Sequence, residues 1–343
     1  MFRRDVLRFG GTVAASSVAS SRVAGIAATL TLYPSWAAVS VPAQGAVSVG
    51  EVATKVARAK RDYQACRYGV VLDALPGLLE SVRLVCDTAT GDDLLRAFAL
   101  AADAYQVTGS VLLKLDDLGL AALAADRSVE AATRSQDPVV LAASARIVTH
   151  SLMSGGHRQR AREIASHAAA RMAADVRNPG PEALSVYGAL VLRGAVAAAL
   201  GEDRTEALGM LDEAADAARR LGRDDNAHWT AFGPTNVAQH RVHVAVVLGD
   251  AGTAIELARR IDVDAIPVAE RKASLFIDAA QAFVQWGRHE QAYQALRAAD
   301  QVAPEEVRAR RSVHGLAADL ATRAPHSVRA QARQFAEQIG ALA

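Results

Sequence analysis

Three side chains able to do chemistry cluster in the C-terminal third of the chain: Asn236, His240 and His243. Spacings of four and three put them on one face of a helix. Two histidines so placed can share a metal ion. A metal site needs three or four ligands, however, and no Cys or Glu nearby completes the set. The expectation is therefore no metal and no cofactor. An asparagine can both donate to and accept from a peptide backbone. Asn236 is accordingly read as a contact to a ligand in a groove, with His240 and His243 beside it. Trp229 and Phe232, large aromatics on the irregular segment just upstream, are the candidates to floor the same pocket. Plainer alternatives stay open. The polar trio could bond between helices beneath the 221–233 connection, and the aromatics could simply pin that connection down.

Other chemistry has no foothold. There is no Gly-x-x-x-x-Gly-Lys phosphate loop, no Gly-x-Gly-x-x-Gly, no Gly-x-Ser-x-Gly elbow and no His-Glu-x-x-His. The paired acids Asp92-Asp93, Asp116-Asp117 and Glu305-Glu306 stand at expected helix starts, where capping accounts for them. The basic run Arg308-Ala309-Arg310-Arg311 reads as a solvated helix face. No catalytic residue is assigned, and the chain is expected to bind rather than catalyse. A formal net charge of +1 offers none of the basic surplus that DNA-gripping domains carry. Cys66 and Cys86 are too few for a disulfide framework. Near opposite ends of one expected helix, they are too far apart to bond and read as small apolar residues.

The elements that must hold these residues are helices. Hydrophobic residues make up 51% of the chain but aromatics only 5%, so the apolar mass is Ala, Val and Leu. Such a composition favours slender helices packed closely. Pro138, Pro181, Pro234, Pro267 and Pro304 each fall just before or at the first turn of an apolar-periodic run, where proline is tolerated. Gly156, Gly201, Gly249 and Gly287 each close a helix shortly before Ala161, Ala207, Ala254 and Ala292. Those alanines recur at intervals of 46, 47 and 38 residues (161 to 207, 207 to 254, 254 to 292), the range of lengthened helical-hairpin repeats. In the clearest unit the first helix carries Phe276, Ala279, Ala280, Phe283 and Trp286, and the second Ala292, Leu296, Ala299 and Val302.

The fold expected is all-α: a tetratricopeptide-like right-handed superhelix of antiparallel helical hairpins. The hairpins fall at 48–87, 92–135, 138–175, 181–221, 234–262, 267–302 and 305–340. The first helix of each lines the concave side. Residues 48–343 form the repeat domain. Residues 1–47 are a linker or signal-like segment, poorly structured, in which Arg3-Arg4 precedes an apolar, small-residue stretch.

The segment His228-Trp229-Thr230-Ala231-Phe232-Gly233-Pro234-Thr235-Asn236-Val237-Ala238-Gln239-His240-Arg241-Val242 is similar to a stretch in the C-terminal tetratricopeptide-like domain of actinobacterial XRE-family helix-turn-helix transcriptional regulators. The runs Leu123 to Ser128, Gln285 to Ala292 and Ala303 to Arg308 resemble that family too, and the likeness extends from about residue 50 to the end. Arg3-Arg4-Asp5-Val6-Leu7 matches the linker that joins head to repeats in such regulators. The resemblance implies a ligand- or peptide-sensing domain of a transcriptional regulator, cytoplasmic, partnered by a peptide or small molecule and by a DNA-binding protein or a second copy of itself. Residues 1–47 offer no helix-turn-helix, so no direct nucleic acid binding by this chain is expected. The alternative is a repeat adaptor, exported on a twin-arginine signal or tethered to a membrane.

Overall fold

Alanine at a helix contact lets two backbones approach closely, and the architecture is built on that. The computed structural model describes residues 21–32 and 47–342. Among the described residues there is no strand, only one bridge between Asp225 and Phe232. Residues 21–30 form a first helix, α1. Hairpins follow: α2 (Val49–Gln64) with α3 (Tyr68–Thr88), α4 (Gly91–Lys114) with α5 (Leu118–Ser135), and α6 (Pro138–Ser154) with α7 (Arg158–Asp175). Next come α8 (Pro181–Leu200) with α9 (Arg204–Leu221), α10 (Pro234–Val247) with α11 (Ala251–Arg259), and α12 (Ala269–Gln285) with α13 (His289–Val302). The short α14 (Pro304–Ala309) leads into α15 (Arg311–Arg323) and α16 (His326–Gln338). The all-α stack of tetratricopeptide-like hairpins is thus as expected.

Helix starts follow the punctuation. Pro138, Pro181, Pro234 and Pro304 occupy the first turn of their helices. Asp117 caps α5, Asp137 caps α6 and Asp203 caps α9, each accepting from a backbone N–H of the first turn. The turns inside the first six hairpins share one left-handed position. It is held by Cys66 (φ 57), Asp116 (φ 62), Gly156 (φ 83), Glu202 (φ 64), Gly249 (φ 81) and Gly287 (φ 72). Gly201 therefore does not take the strained conformation; Glu202 does, at a cost of about 1–2 kcal/mol that glycine would avoid. Because Glu202 is exposed, Glu202→Gly should stabilise the chain by about 0.5–1 kcal/mol once glycine's own entropy cost is set against the gain. A higher urea midpoint with unchanged slope is the result to look for.

Ala161, Ala207, Ala254 and Ala292 are all fully buried at the start of the second helix of a hairpin. Leucine at 292 has nowhere to go, and Ala292→Leu should cost about 1–3 kcal/mol, read as a lower thermal midpoint. Trp286 departs from the expected seam: it caps the end of α12, is 48% exposed and lies under the Arg288 guanidinium. Cys66 lies in the α2–α3 turn rather than in one helix with Cys86, and the two form no disulfide. Burial makes both thiols harder to ionise, raising their pKa to about 12 and about 11. Helix α8 is long and apolar enough to cross a membrane. Here it is the central core helix, surrounded by α6, α7, α9 and α10.

The expected linker or signal-like segment 1–47 lies partly outside the described residues, Arg3-Arg4 included. Within it, α1 packs on the first hairpin by burying Ile26 and Leu30, and Arg22 pairs with Asp73 at 2.7 Å.

The stack curls until its first hairpin meets its last two. Helix α2 packs on α12. The Gly69 N–H donates to Glu305 at 2.8 Å, and the Tyr68 hydroxyl donates to Glu306. The Gln64 and Asn226 amides bond each other at 2.9 Å. Glu306 is fully buried and also holds Lys114 (2.6 Å) and Arg310, while Glu270 holds Lys114 at 2.9 Å. Two expectations are corrected here. Glu305-Glu306 form a clasp across the molecule rather than a cap, and Arg310 belongs to that buried network rather than to a solvated face. Burial and Arg310 press the Lys114 ammonium downward, but Glu270 and Glu306 outweigh them and hold it above the ordinary lysine range.

Candidate functional site

The residues Phe232-Gly233-Pro234-Thr235-Asn236 set the entry of α10 one by one. Phe232 is fully buried, and its ring fills the space left by Gly188 of α8: a Cβ there would sit 1.9 Å from the ring. Gly233 lies so close to Asp224 that a side chain would meet that residue's backbone at 2.5 Å. Pro234 starts the helix. Asp224 accepts from the Thr235 N–H (3.0 Å) and hydroxyl (2.6 Å). Asn236 then points where the helix phase sends it, into the concave side. The preceding connection is held tense: His228, Trp229 and Ala231 have φ of 47, 58 and 48, each costing on the order of 1–3 kcal/mol.

First helices of successive hairpins do line the concave side. They enclose a groove of about 400 Å³ whose wall carries Lys114, His150, Arg193, His240, Arg271 and Asp278. Asn236 and Gln239 form one edge. Asn236 is 3% exposed and makes only a long 3.5 Å bond to Gln239, which reaches the Arg271 carbonyl at 3.3 Å. Such loose pairs can exchange for a ligand. The His240 Nδ1 donates to the Asn236 carbonyl at 2.9 Å. Burial, with Arg271 and Arg193 nearby, presses His240 well below the usual histidine value. The neutral ring therefore presents Nε2 as an acceptor. His243 Nδ1 lies 2.9 Å from Asp278.

A smaller recess of about 50 Å³ opens off the groove. It shares His150, Arg193 and Arg271 with the groove and adds Gln106, Arg146 and Trp229. Lys60 pairs with Asp103, Lys114 and Arg310 with Glu270 and Glu306, and Arg271 approaches Glu270 at 3.4 Å. Arg146 and Arg193 bond to no described residue. Burial, then Arg271 and Arg146, push the Arg193 guanidinium down to about 9. Burial and Arg271 lower Arg146 as well, and burial with Arg193 takes His150 well below its usual value.

Of the five expected site residues, the structure brings Asn236, His240 and His243 to the groove. Trp229 lines the adjoining recess, and its carbonyl accepts from Gln64 at 3.3 Å. Phe232 is corrected: it lies in the core, lines neither cavity and pins the connection to α8. Among the described residues no three His, Cys, Asp or Glu side chains gather closely enough to hold a metal. Missed in the sequence were Arg146, Arg193, Arg271 and Gln106. The available signal was Arg193 itself, a lone charge in the apolar run Leu190-Val191-Leu192-Arg193-Gly194-Ala195-Val196. A second cavity of about 540 Å³ lies between α5, α6 and α7, apolar and with few groups to orient a ligand.

The fold defines a tetratricopeptide-like helical repeat protein. The sequence matches no family model and no curated protein. Two solved structures are similar to this chain. One is a Rap protein complexed with competence and sporulation factor: TM-score 0.50, 13% identity, 85% of this chain and 88% of that chain covered. Another is BtubC (BKLC) from P. vanneervenii: TM-score 0.42, 16% identity, 73% of this chain and 90% of that chain covered.

Proposed function

We propose that this protein is a ligand-sensing repeat protein that binds a peptide or small molecule in the groove of its first helices and acts by binding, not catalysis. The observation that carries this reading is the convergence of under-bonded polar groups, Asn236, Gln239, His240 and Arg193, on one 400 Å³ concavity. Buried polar groups are ordinarily satisfied, so a wall of loosely paired ones suits an exchangeable partner. The Rap neighbour, solved in complex with competence and sporulation factor, lends analogy to a bound signalling partner. The regulatory setting, control of transcription with a DNA-binding protein or a second copy as partner, rests on the resemblance to XRE-family regulators. A cytoplasmic location is proposed with it, supported by the two cysteines that form no disulfide.

Asn236→Ala should abolish binding of peptides captured from a short-peptide library, scored by native mass spectrometry, with the far-UV circular dichroism unchanged. Undiminished capture by the variant would remove Asn236 from the site. A deletion strain with an unaltered transcriptome would end the regulatory reading, and a mature N-terminus near Gln44 would move the protein to the exported alternative.

A further inference from the structure

Two arginines without a direct ion-pair partner in a partly buried recess, with Glu270 on the same wall but paired to Lys114, are a standing cost. Arg146 on α6 and Arg193 on α8 are each half-buried, face one another's charge and that of Arg271, and bond to no described residue. Arg146 Nε is a fully enclosed donor with no acceptor. On the same recess sits Gln106, 3% exposed. Its amide nitrogen is fixed by Ser144 at 3.2 Å, so its Oε1 is the end left over, and that buried acceptor has no donor. An orphaned cation pair and an orphaned acceptor thus share a space of about 50 Å³, room for a few water-sized groups. The acids nearby are committed elsewhere: Asp103 to Lys60, Glu270 and Glu306 to Lys114 and Arg310.

We infer that the recess takes a carboxylate lying next to an N–H, the carboxylate against Arg146 and Arg193 and the N–H donating to Gln106 Oε1. That pairing of groups occurs at the C-terminus of a peptide and in a free N-acyl amino acid. A planar carboxylate matches a guanidinium fork, and charge-assisted bonds strengthen away from bulk water. A bare cation would meet like charge. The rest of the ligand runs into the larger groove past His150 and Arg271 toward Asn236. This deepens the ligand-sensing reading and rests on it.

The test uses the full chain and three probes: a library of free-acid tetrapeptides, the same library amidated at the C-terminus, and a set of N-acetyl amino acids. Native mass spectrometry and thermal shift are the readouts. The free-acid library should bind and the amidated library should not. Binding of the N-acetyl amino acids as well would assign the source to the small molecule end of the class; their failure assigns it to peptides. Arg193→Gln and Arg146→Gln should each weaken binding by about 10–100-fold. Each should also leave the ligand-free thermal midpoint unchanged or higher, because an unpaired buried charge has gone. A purely structural role would lower that midpoint instead and would overturn the assignment. Equal binding of free-acid and amidated libraries would leave the groove standing and sink the carboxylate. Absence of binding by all three probes would sink both readings.

Discussion

Glu306→Gln is expected to destabilise the protein by about 3–5 kcal/mol, because it strips a buried anion from two buried cations. Glu306 is fully buried at the junction of α14, α4 and α3, where it receives Lys114, Arg310 and the Tyr68 hydroxyl. With that charge gone, Lys114 and Arg310 share Glu270 alone, 2.9 Å from Lys114 and 3.6 Å from Arg310. Chemical denaturation should show a large fall in midpoint, and Tyr68→Phe a fall of only about 1 kcal/mol. The clasp also predicts a pH dependence. Burial raises the Glu270 and Glu306 carboxyls, but Lys114 and its arginine neighbours more than reverse this, so both lie below the usual 4.5. Their stabilisation is present above the unfolded value and is lost as pH falls through the lower folded values. The wild type should therefore lose stability steeply only below about pH 4.5, and Glu306→Gln should flatten that loss. An unchanged acid limb in the variant would mean that other carboxylates govern it.

Phe232→Ala should cost about 3–5 kcal/mol. The ring fills the notch at Gly188, and the variant leaves it empty. Gly188→Ala should damage the same contact from the opposite side, by steric overlap, and Phe232→Leu should partly restore it. A double-mutant cycle that comes out additive would show that the two sites do not share this contact. Since Phe232 anchors the connection that delivers Trp229 to the recess and Asn236 to the groove, Phe232→Ala should also weaken ligand binding without touching ligand.

Much of this molecule follows from short-range pattern. Proline at helix starts, glycine before a buried alanine and the 38- to 47-residue recurrence marked the four hairpins from α6–α7 to α12–α13, and helix phase placed Asn236, His240 and His243 on the concave side. These signals are local, because capping, φ and 3.6-residue periodicity depend on neighbours in sequence. What sequence could not supply was the partner of each charge. Glu306 looked like a cap, since nothing nearby showed that Lys114, 192 residues away, would reach it. Arg146 and Arg193 looked like ordinary helix residues, since each lacks only a partner, and lacking one is a property of the assembled walls. Phe232 looked like a pocket floor, though its ring is directed into a gap that another hairpin leaves. The curvature of the stack decides all three, and curvature accumulates from small rotations between repeats that no single repeat encodes.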